Sequence, residues 1–556
     1  MESFIAEFQN IITSFGASVG IPVFIVLVGL ILRLRPAQAL RSGLTAGVCL
    51  AAMLLLGGTL RTTLAQLAVE IGGTSELGMP AVDAGWEPST VIAFASRLGI
   101  YIIPIYLFIN LVMLALRATR TFNFDLWNFW HAAFIGAMAE VLTGSFVLGL
   151  LAVISAVILL QCLSDMAARP LQKHLGTPGV SVTQGFSLAF VPIALVLNKL
   201  FDLIPGWKKH PVTLETLQRK LGFGADPLVL GAVIGGGLSA LAGRDVYGVL
   251  QDAVSLAAAV FLLPRILKLF AEAFAPIGEG LRHFAKEKLK IGGSLYLGFS
   301  STIATASPTV LLTTMALIPP LMWTARSASF AQYMPAASLY MLPFVMALVV
   351  AVCRGDILRS LVAGYVSMVS MLYCGSALAG LFTQAAMTAN PDLYGSVGLI
   401  TSITDASSPL AWFVVMVATF GLAGLLALLI FSIGLAMWNH NQITGKGGGP
   451  LFTLPKFSLG GGAAAKALPD GGSPQAEPEA PKSQEPPESP KQPEDAGRTA
   501  GRSKPSKGSR KRDPRPAGKY AKRPSPPAQP EEDVDTEAFA QLLSSLEAPD
   551  TGTQLE

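Results

Sequence analysis

Long apolar runs recur along the first four-fifths of the chain, and short clusters of Arg and Lys separate several of them. The first run extends from Ile21 to Leu32 and is followed by Arg33 and Arg35, and the second extends from about Leu44 to Leu60. A helix of about 20 apolar residues crosses a bilayer. The repeated pattern predicts an all-α, polytopic membrane protein with ten or eleven transmembrane helices and additional re-entrant segments.

Basic residues in short loops indicate which side of the membrane each loop occupies. Arg33, Arg35 and Arg41 separate the first two apolar runs, so this loop is predicted to be cytoplasmic and the N-terminus to lie outside. The segment Met1–Gly20 contains Glu2 and Glu7 but no Lys or Arg, so we interpret the first apolar run as a retained span, not a signal peptide.

The chain changes character at its C-terminal end, which predicts a membrane domain over residues 1–444 and a disordered tail over 445–556. The tail is rich in Gly, Pro, Ala, Glu and Lys and poor in aromatic residues. Its segment 502–523 is basic, which favours a cytoplasmic position beside anionic membrane lipid. Apolar residues at helical spacing in 531–547 predict a short amphipathic helix, which either docks on a partner or fluctuates without one.

Composition supports the membrane assignment and narrows the chemistry. Of the 556 residues, 51% are hydrophobic and 14% charged, and the mean hydropathy is +0.53. The four cysteines stand singly, with no metal-ligand spacing, and no HExxH, P-loop or dinucleotide-binding motif is present. We therefore predict no metal and no cofactor.

The stretch around which the chain is organised begins with an aromatic, amide-rich segment from Asn123 to His131 and continues into an apolar run that contains Glu140. An ionisable side chain within the bilayer costs a few kcal/mol and is normally retained for a pathway or a partner. His131 and Glu140 are therefore expected to face protein or water. The alternative for His131 is an interfacial imidazole satisfied by a carbonyl group.

Another candidate region, Pro80–Thr90, contains Asp83 and Glu87 beside Trp86, among Gly and Pro residues that interrupt any helix. It is either an exposed external loop or a re-entrant turn that faces the substrate, since irregular backbone at membrane depth lines cavities.

Two later segments resemble each other. Gly179–Ser187 and Gly298–Thr309 are both rich in hydroxyl groups and small residues, and each precedes an apolar run. Paired interruptions of this kind in two halves of a chain indicate a transporter binding site. The alternative is close helix packing by small residues.

An ordered set of short motifs runs through the apolar part of the chain: Val82–Trp86, Asn123–His131, Ile204–Gly206, Gln218–Gly222 and Arg354–Asp356. Together they resemble the galactitol-type IIC membrane permease of the bacterial phosphoenolpyruvate-dependent phosphotransferase system, part of the ascorbate/galactitol superfamily. The resemblance covers about Met1 to Asn441 and none of the tail.

The resemblance implies an inner-membrane homodimer in which each subunit has a scaffold domain and a mobile, elevator-type core domain. The IIC component would bind a polyol such as galactitol outside and present it inside to a separate phosphorylated IIB protein, which a IIA protein supplies. Membrane lipid would surround the dimer, and the phosphoryl donor would be a cysteine of IIB.

The residues expected at the sugar are amides, hydroxyls, carboxylates and an imidazole, with Trp86 as an apolar floor. His131 is the candidate catalytic residue, because it could remove the proton of the attacking hydroxyl. The substrate-binding candidates are Asp83, Trp86, Asn128, His131, Glu140, Gln184, Ser300, Ser307 and Asp405.

The chain departs from the family pattern where galactitol-type permeases carry ionisable residues, namely at Gln184, Ser300, Ser307, near Ser338 and at Cys353. Galactitol as the substrate and coupled phosphorylation therefore stay open. The alternative function is a divergent, non-transporting membrane anchor or sensor that recruits a cytoplasmic partner through its tail.

Overall fold

The computed structural model describes residues 17–72, 78–123, 125–204, 206–207, 211–287, 295–305 and 307–445. The predicted disordered tail, with its basic segment 502–523 and amphipathic helix 531–547, therefore lies outside the described residues from residue 446 onward.

Helices form most of the described chain and confirm the predicted all-α membrane fold. In chain order they are α1 (Ala17–Ile31), α2 (Pro36–Gly72), α3 (Glu87–Ala95), α4 (Arg97–Ala115), α5 (Trp130–Thr143), α6 (Phe146–Leu175), α7 (Gly185–Leu188), α8 (Val191–Phe201), α9 (Leu214–Leu221), α10 (Pro227–Leu241), α11 (Val246–Glu287), α12 (Thr302–Thr305), α13 (Pro308–Ser327), α14 (Leu342–Val352), α15 (Ile357–Ala389), α16 (Pro391–Tyr394), α17 (Pro409–Ala418) and α18 (Gly421–Thr444).

Seven of the described helices are long and apolar enough to cross a membrane, or eight if the pair Leu214–Ala225 and Pro227–Leu241, bent by 71°, is counted as one span. Four further apolar helices are shorter, with 10–17 residues: Pro22–Ile31, Gly185–Phe201, Leu339–Val352 and Pro409–Ala418. The expected number of ten or eleven spans depends on these short helices and stays a prediction.

The long helices differ in how deeply they are buried. In the most apolar window of α6, 67% of the residues are buried inside the chain, and in α13 the share is 72%. In α2 and α18 the share is only 17%, so their apolar surfaces face lipid or another protein. Among the long helices of the described chain, α6 and α13 are therefore the most deeply buried.

Five short strands, not expected from the sequence, form two small parallel sheets. In the two-stranded sheet β1 (Ala81–Asp83) pairs with β5 (Leu399–Thr401), and in the three-stranded sheet β4 (Tyr296–Phe299) lies between β2 (Thr121–Asn123) and β3 (Val180–Val182). Backbone polar groups away from water need partners, and this pairing supplies them where the chain is not helical.

Each strand is followed within a few residues by a short helical segment. These segments are α3 after β1, the 3-10 helix Leu126–Phe129 after β2, α7 after β3, α12 after β4 and the 3-10 helix Asp405–Ser407 after β5. Interrupted helices of this kind form the binding sites of many transporters, because helix ends and polar side chains meet at the break. The strands and short helices thus position the candidate site.

Helices α5 and α6 approach each other closely through small residues. A Cβ atom added to Gly149 would lie 2.9 Å from the carbonyl oxygen of Gly136, so the two backbones are almost in contact. This packing fixes the start of α5, which carries His131.

Candidate functional site

The central contact of the candidate site joins the ends of the two sheets. His131, the second residue of α5, follows β2, and Asp405 follows β5. The Nδ1 atom of His131 lies 2.8 and 2.9 Å from the two carboxylate oxygens of Asp405. Both side chains are almost fully buried, with 3% and 2% of their surface exposed. The sequence predicted both residues as ligands, and the structure brings them together.

The other ring nitrogen of His131 is left free. Its Nε2 atom is buried and has no hydrogen-bond partner among the described residues. In a neutral imidazole that donates Nδ1–H to Asp405, Nε2 carries the lone pair and can accept a proton or a hydrogen bond. A carboxylate that holds one nitrogen fixes the tautomer and ring orientation in the same way as in other histidine sites.

The backbone of Gly185, at the start of α7, lies against the histidine. A Cβ atom at this position would lie 2.7 Å from the Cβ of His131, closer than side chains approach each other. Glycine is therefore required here for the carboxyl end of β3 to reach the imidazole.

Asp83 ends strand β1 and is held by three donors. Its carboxylate accepts hydrogen bonds from the backbone N–H of Ser338 at 2.8 Å, the hydroxyl of Ser338 at 2.5 Å and the backbone N–H of Gly85 at 3.2 Å. Trp86 follows as the half-buried residue before α3. The Pro80–Thr90 segment is thus paired with β5 through its strand and packed through its buried Asp83 and Ser89, which favours the re-entrant alternative over an exposed loop.

A hydroxyl pair connects the Asp83 segment to the Asp405 segment. The hydroxyl of Ser89 in α3 lies 2.9 Å from that of Thr404, the residue before Asp405, and both side chains are buried. The two strand–helix segments of the smaller sheet are therefore linked by side chains as well as by backbone.

The two hydroxyl-rich segments predicted as a pair are adjacent strands of the larger sheet, with Ser181 of β3 opposite Gly298 of β4. At their carboxyl ends the Oε1 atom of Gln184 accepts hydrogen bonds from the backbone N–H of Ser301 at 3.1 Å, from the Ser301 hydroxyl and from the Ser300 hydroxyl at 3.3 Å. The two segments are therefore in direct contact at their carboxyl ends, and their role as a binding site stays a prediction.

Asn128 belongs to the same polar layer. Its Nδ2 donates to the Thr183 hydroxyl at 3.2 Å, and that hydroxyl donates to Oδ1 of Asn123 at 2.7 Å. The 3-10 helix after β2 is thereby tied to the end of β3.

Two predicted site residues lie apart from these contacts. Glu140 is nine positions beyond His131 on α5 and forms an ion pair with Arg97 at 2.5 Å, with 67% of the Arg97 side chain exposed. The hydroxyl of Ser307, before α13, lies 3.0 Å from Nε2 of His174 at the end of α6. A rise of about 1.5 Å per residue puts Glu140 roughly 13 Å along the helix from His131.

Several residues of the site were not named as ligands from the sequence. Ser338, Thr183, Ser301 and Thr404 all contact predicted ligands. Thr183 and Ser301 lie within the two hydroxyl-rich segments that the sequence marks, Gly179–Ser187 and Gly298–Thr309. The family resemblance marks a departure near Ser338, but the contact of Ser338 with Asp83, 255 positions away, is evident only from the structure.

Broken helices and buried, hydroxyl-rich contacts at the strand ends are typical of polytopic membrane transporters for polar solutes. Residues 10–393 match the family described as the PTS system sugar-specific permease component, EIIC-GAT. The chain belongs to this family of phosphotransferase-system IIC permeases, which places it in the inner membrane as a multi-pass protein.

Two relatives from Escherichia coli (strain K12) match nearly their whole length. One is a permease IIC component, 28% identical over 416 residues that cover 74% of this chain and 94% of the relative. The other is the PTS system galactitol-specific EIIC component, 30% identical over 413 residues that cover 74% of this chain and 91% of the relative. The same galactitol-specific component of Escherichia coli O157:H7 matches to the same extent. The resemblance to galactitol-type IIC permeases is confirmed.

Proposed function

We propose that this permease binds a polyol, galactitol or a related sugar alcohol, and translocates it for phosphorylation by a separate IIB protein. The observation that carries the proposal is the buried His131–Asp405 pair, in which Nε2 of His131 has no hydrogen-bond partner among the described residues.

The chemistry of the site suits a neutral ligand with many hydroxyl groups. Amide, hydroxyl and carboxylate groups of Asn128, Gln184, Ser300 and Asp83 surround the strand ends, and none of these carries a positive charge. Such groups exchange hydrogen bonds with hydroxyls, which both donate and accept. Trp86 supplies a flat apolar surface for the carbon chain.

His131 is the residue we assign to proton transfer. During phosphorylation the substrate hydroxyl oxygen forms a bond to phosphorus, the bond from phosphorus to the IIB cysteine sulfur breaks, and the hydroxyl proton passes to Nε2 of His131. Asp405 stabilises the imidazolium that results. The thiolate that leaves remains on IIB.

The remaining predicted ligands have supporting positions in this proposal. Glu140 holds Arg97 at the start of α4, and Ser307 contacts His174 at the end of α6. The family membership supports IIB and IIA proteins as partners.

We further propose that the chain is a homodimer, with a scaffold domain that holds the dimer and an elevator-type core domain that carries the sugar. The exposed apolar surfaces of α2 and α18 support contact with lipid or a second subunit. The N-terminus is assigned to the outside and the C-terminal tail to the cytoplasm, from the distribution of basic residues.

Uptake of radiolabelled galactitol tests the function in cells that express this chain with IIA and IIB of a galactitol system. The proposal predicts uptake that requires phosphoenolpyruvate and yields galactitol phosphate. Accumulation of unmodified galactitol after removal of the general phosphotransferase proteins would contradict it. The matched control is the His131→Gln variant, which should appear in the membrane at the same level and yield no product.

A further inference from the structure

A group of exposed basic side chains lies on three chain segments that contact one another. The segments are the last two turns of α6, the turn from Arg354 to Asp356 between α14 and α15, and α9. Their exposed basic residues are Arg169, Lys173, Arg219, Lys220 and Arg354. We call these five residues the basic surface.

Direct contacts hold the three segments together. A Cβ atom added to Gly355 would lie 3.4 Å from Nδ1 of His174 in the last turn of α6. Two residues before α9, the carbonyl oxygen of Val212 accepts from the backbone N–H of Ile357 at 2.8 Å, and the N–H of Val212 donates to the carboxylate of Asp356 at 3.3 Å. The basic surface therefore extends over helix ends that are linked to one another.

Acidic side chains leave the basic surface with a net positive charge. Asp356 is buried, where it caps α15. Asp202 divides its carboxylate between the buried Arg359, at 2.7 Å, and Arg354, at 3.3 Å. Glu215 of α9 is exposed and offsets one of the five positive charges. A surface of this charge attracts a negatively charged partner.

The basic surface borders the segment that leads to the candidate site. The hydroxyl of Ser307 lies 3.0 Å from Nε2 of His174, the residue after Lys173. Six positions before Ser307, the backbone N–H of Ser301 donates to Gln184 at the carboxyl ends of β3 and β4. The short helix α12 thus connects the basic surface to the candidate site.

We propose that the basic surface is the docking site of a phosphorylated cytoplasmic protein. The proposal rests on the proposed function, in which that protein is IIB. Exposed Arg and Lys residues at the ends of spans mark the cytoplasmic side of a membrane protein. Their side chains bind phosphoryl groups and acidic surfaces through charge-assisted hydrogen bonds. A protein bound here brings its phosphoryl group to the segment that contains Ser307.

An anionic lipid headgroup is the other negatively charged partner to consider. The end of any span can meet headgroups, whereas this surface adjoins hydroxyl and imidazole groups that continue toward Gln184. Its position therefore favours a partner that acts on the bound solute.

The test measures the binding of phosphorylated IIB from a galactitol system to the full chain in nanodiscs of phosphatidylcholine, which has no net charge. The variant that combines Lys173→Gln and Arg219→Gln removes two exposed positive charges. We expect its dissociation constant for IIB to be at least about tenfold higher than that of wild type, and to depend less on salt.

Arg326→Gln is the matched control. Arg326 is also exposed, but it lies in the last turn of α13, at the opposite end of that helix from Ser307. The control should bind IIB as tightly as wild type does. Calorimetric titration with galactitol, in the absence of IIB, should give the same affinity for wild type and both variants.

Equal dissociation constants for the double variant and Arg326→Gln would overturn the docking site, even if IIB phosphorylates galactitol and the proposed function holds. Failure of wild type to bind IIB would overturn both the docking site and the assignment of IIB as partner. If the double variant loses affinity only for phosphatidylglycerol in the nanodisc and not for IIB, the surface binds lipid and the proposal is likewise wrong. The binding of IIB is measured without galactitol, so a chain that binds IIB through this surface but no galactitol would contradict only the proposed substrate.

Discussion

The imidazole of His131 and the carboxylate of Asp405 lie 274 positions apart in the chain and 2.8 Å apart in the structure. The pair is buried on both sides, so water does not compete with it for hydrogen bonds. Burial of such a pair is costly to stability, which indicates that it is retained for function.

Replacement of Asp405 by Asn tests the pair. The asparagine keeps the size of the side chain but removes the charge that orients His131 and stabilises its protonated form. We expect phosphorylation of galactitol by IIB to fall by roughly 10²–10⁴-fold, the usual contribution of general acid–base catalysis. Asp226→Asn, at the exposed start of α10, is the control and should retain full activity.

Ser338 provides a second residue-scale prediction. Its hydroxyl donates to the buried Asp83 carboxylate at 2.5 Å, so Ser338→Ala leaves one of the Asp83 oxygens without that donor. We expect the free energy of unfolding to decrease by about 1.5–3 kcal/mol, as for other hydrogen bonds to charged groups. Ser327→Ala, whose exposed hydroxyl bonds to the carbonyl of Trp323, should change it by less than about 0.5 kcal/mol. Equal effects of the two substitutions would contradict the role assigned to Ser338.

The sequence predicted which residues belong to the site better than it predicted the hydrogen-bond partners of those residues. His131, Asp405, Asp83 and Gln184 stand out because polar groups are rare in apolar segments. Their partners depend on tertiary contacts more than 100 positions away, which one sequence does not show. Glu140 illustrates the difference. Like His131, it is an ionisable residue in an apolar run, but it lies nine positions along α5 from His131 and pairs with Arg97 of α4.

At the element scale, the five strand–helix breaks are the features that the sequence predicts least well. Three or four residues are too few to show the alternation by which a strand is recognised. The small, hydroxyl-rich composition of Gly179–Ser187 and Gly298–Thr309 did indicate two interruptions, and they form neighbouring strands. The Gly and Pro residues of Pro80–Thr90 indicated a further interruption, whereas the strand pairing of all five segments became evident only from the structure.

The close approach of α7 to α5 leads to a prediction at this scale. Gly185→Ala places a methyl group 2.7 Å from the Cβ of His131, so α7 or the start of α5 must shift and the His131–Asp405 contact is disturbed. We expect galactitol uptake to fall by at least tenfold while the amount of protein in the membrane is unchanged. Gly237→Ala is the control, because no atom lies within 4 Å of the added carbon in α10.

Undiminished uptake by Gly185→Ala would show that the position of His131 is not critical. Loss of uptake by Gly237→Ala as well would mean that helix glycines in this protein are sensitive for another reason, and the comparison would then not support the site.

At the scale of the whole molecule, the membrane domain was the most predictable part. Exposing unpaired backbone groups or charges to hydrocarbon costs free energy at every position of a span. Spans are therefore apolar and helical, and charged residues are found in the loops. The helical fold and the family were therefore evident from the sequence, and both are confirmed.

Removal of residues 446–556 distinguishes the permease function from the alternative function of a membrane anchor that acts through its tail. The family match ends at residue 393 and the last span at Thr444, so we expect the truncated chain to retain the galactitol uptake of the full chain. Uptake assays at equal membrane abundance measure this. Loss of uptake after truncation would favour a function that resides in the tail.

The most direct measurement of the central claim is a structure of the full chain with galactitol bound, determined by electron cryomicroscopy. The account predicts a polyol hydroxyl within about 2.6–3.2 Å of Nε2 of His131, while Nδ1 keeps its contact with Asp405. A polyol bound elsewhere, with Nε2 of His131 still facing only protein, would contradict it.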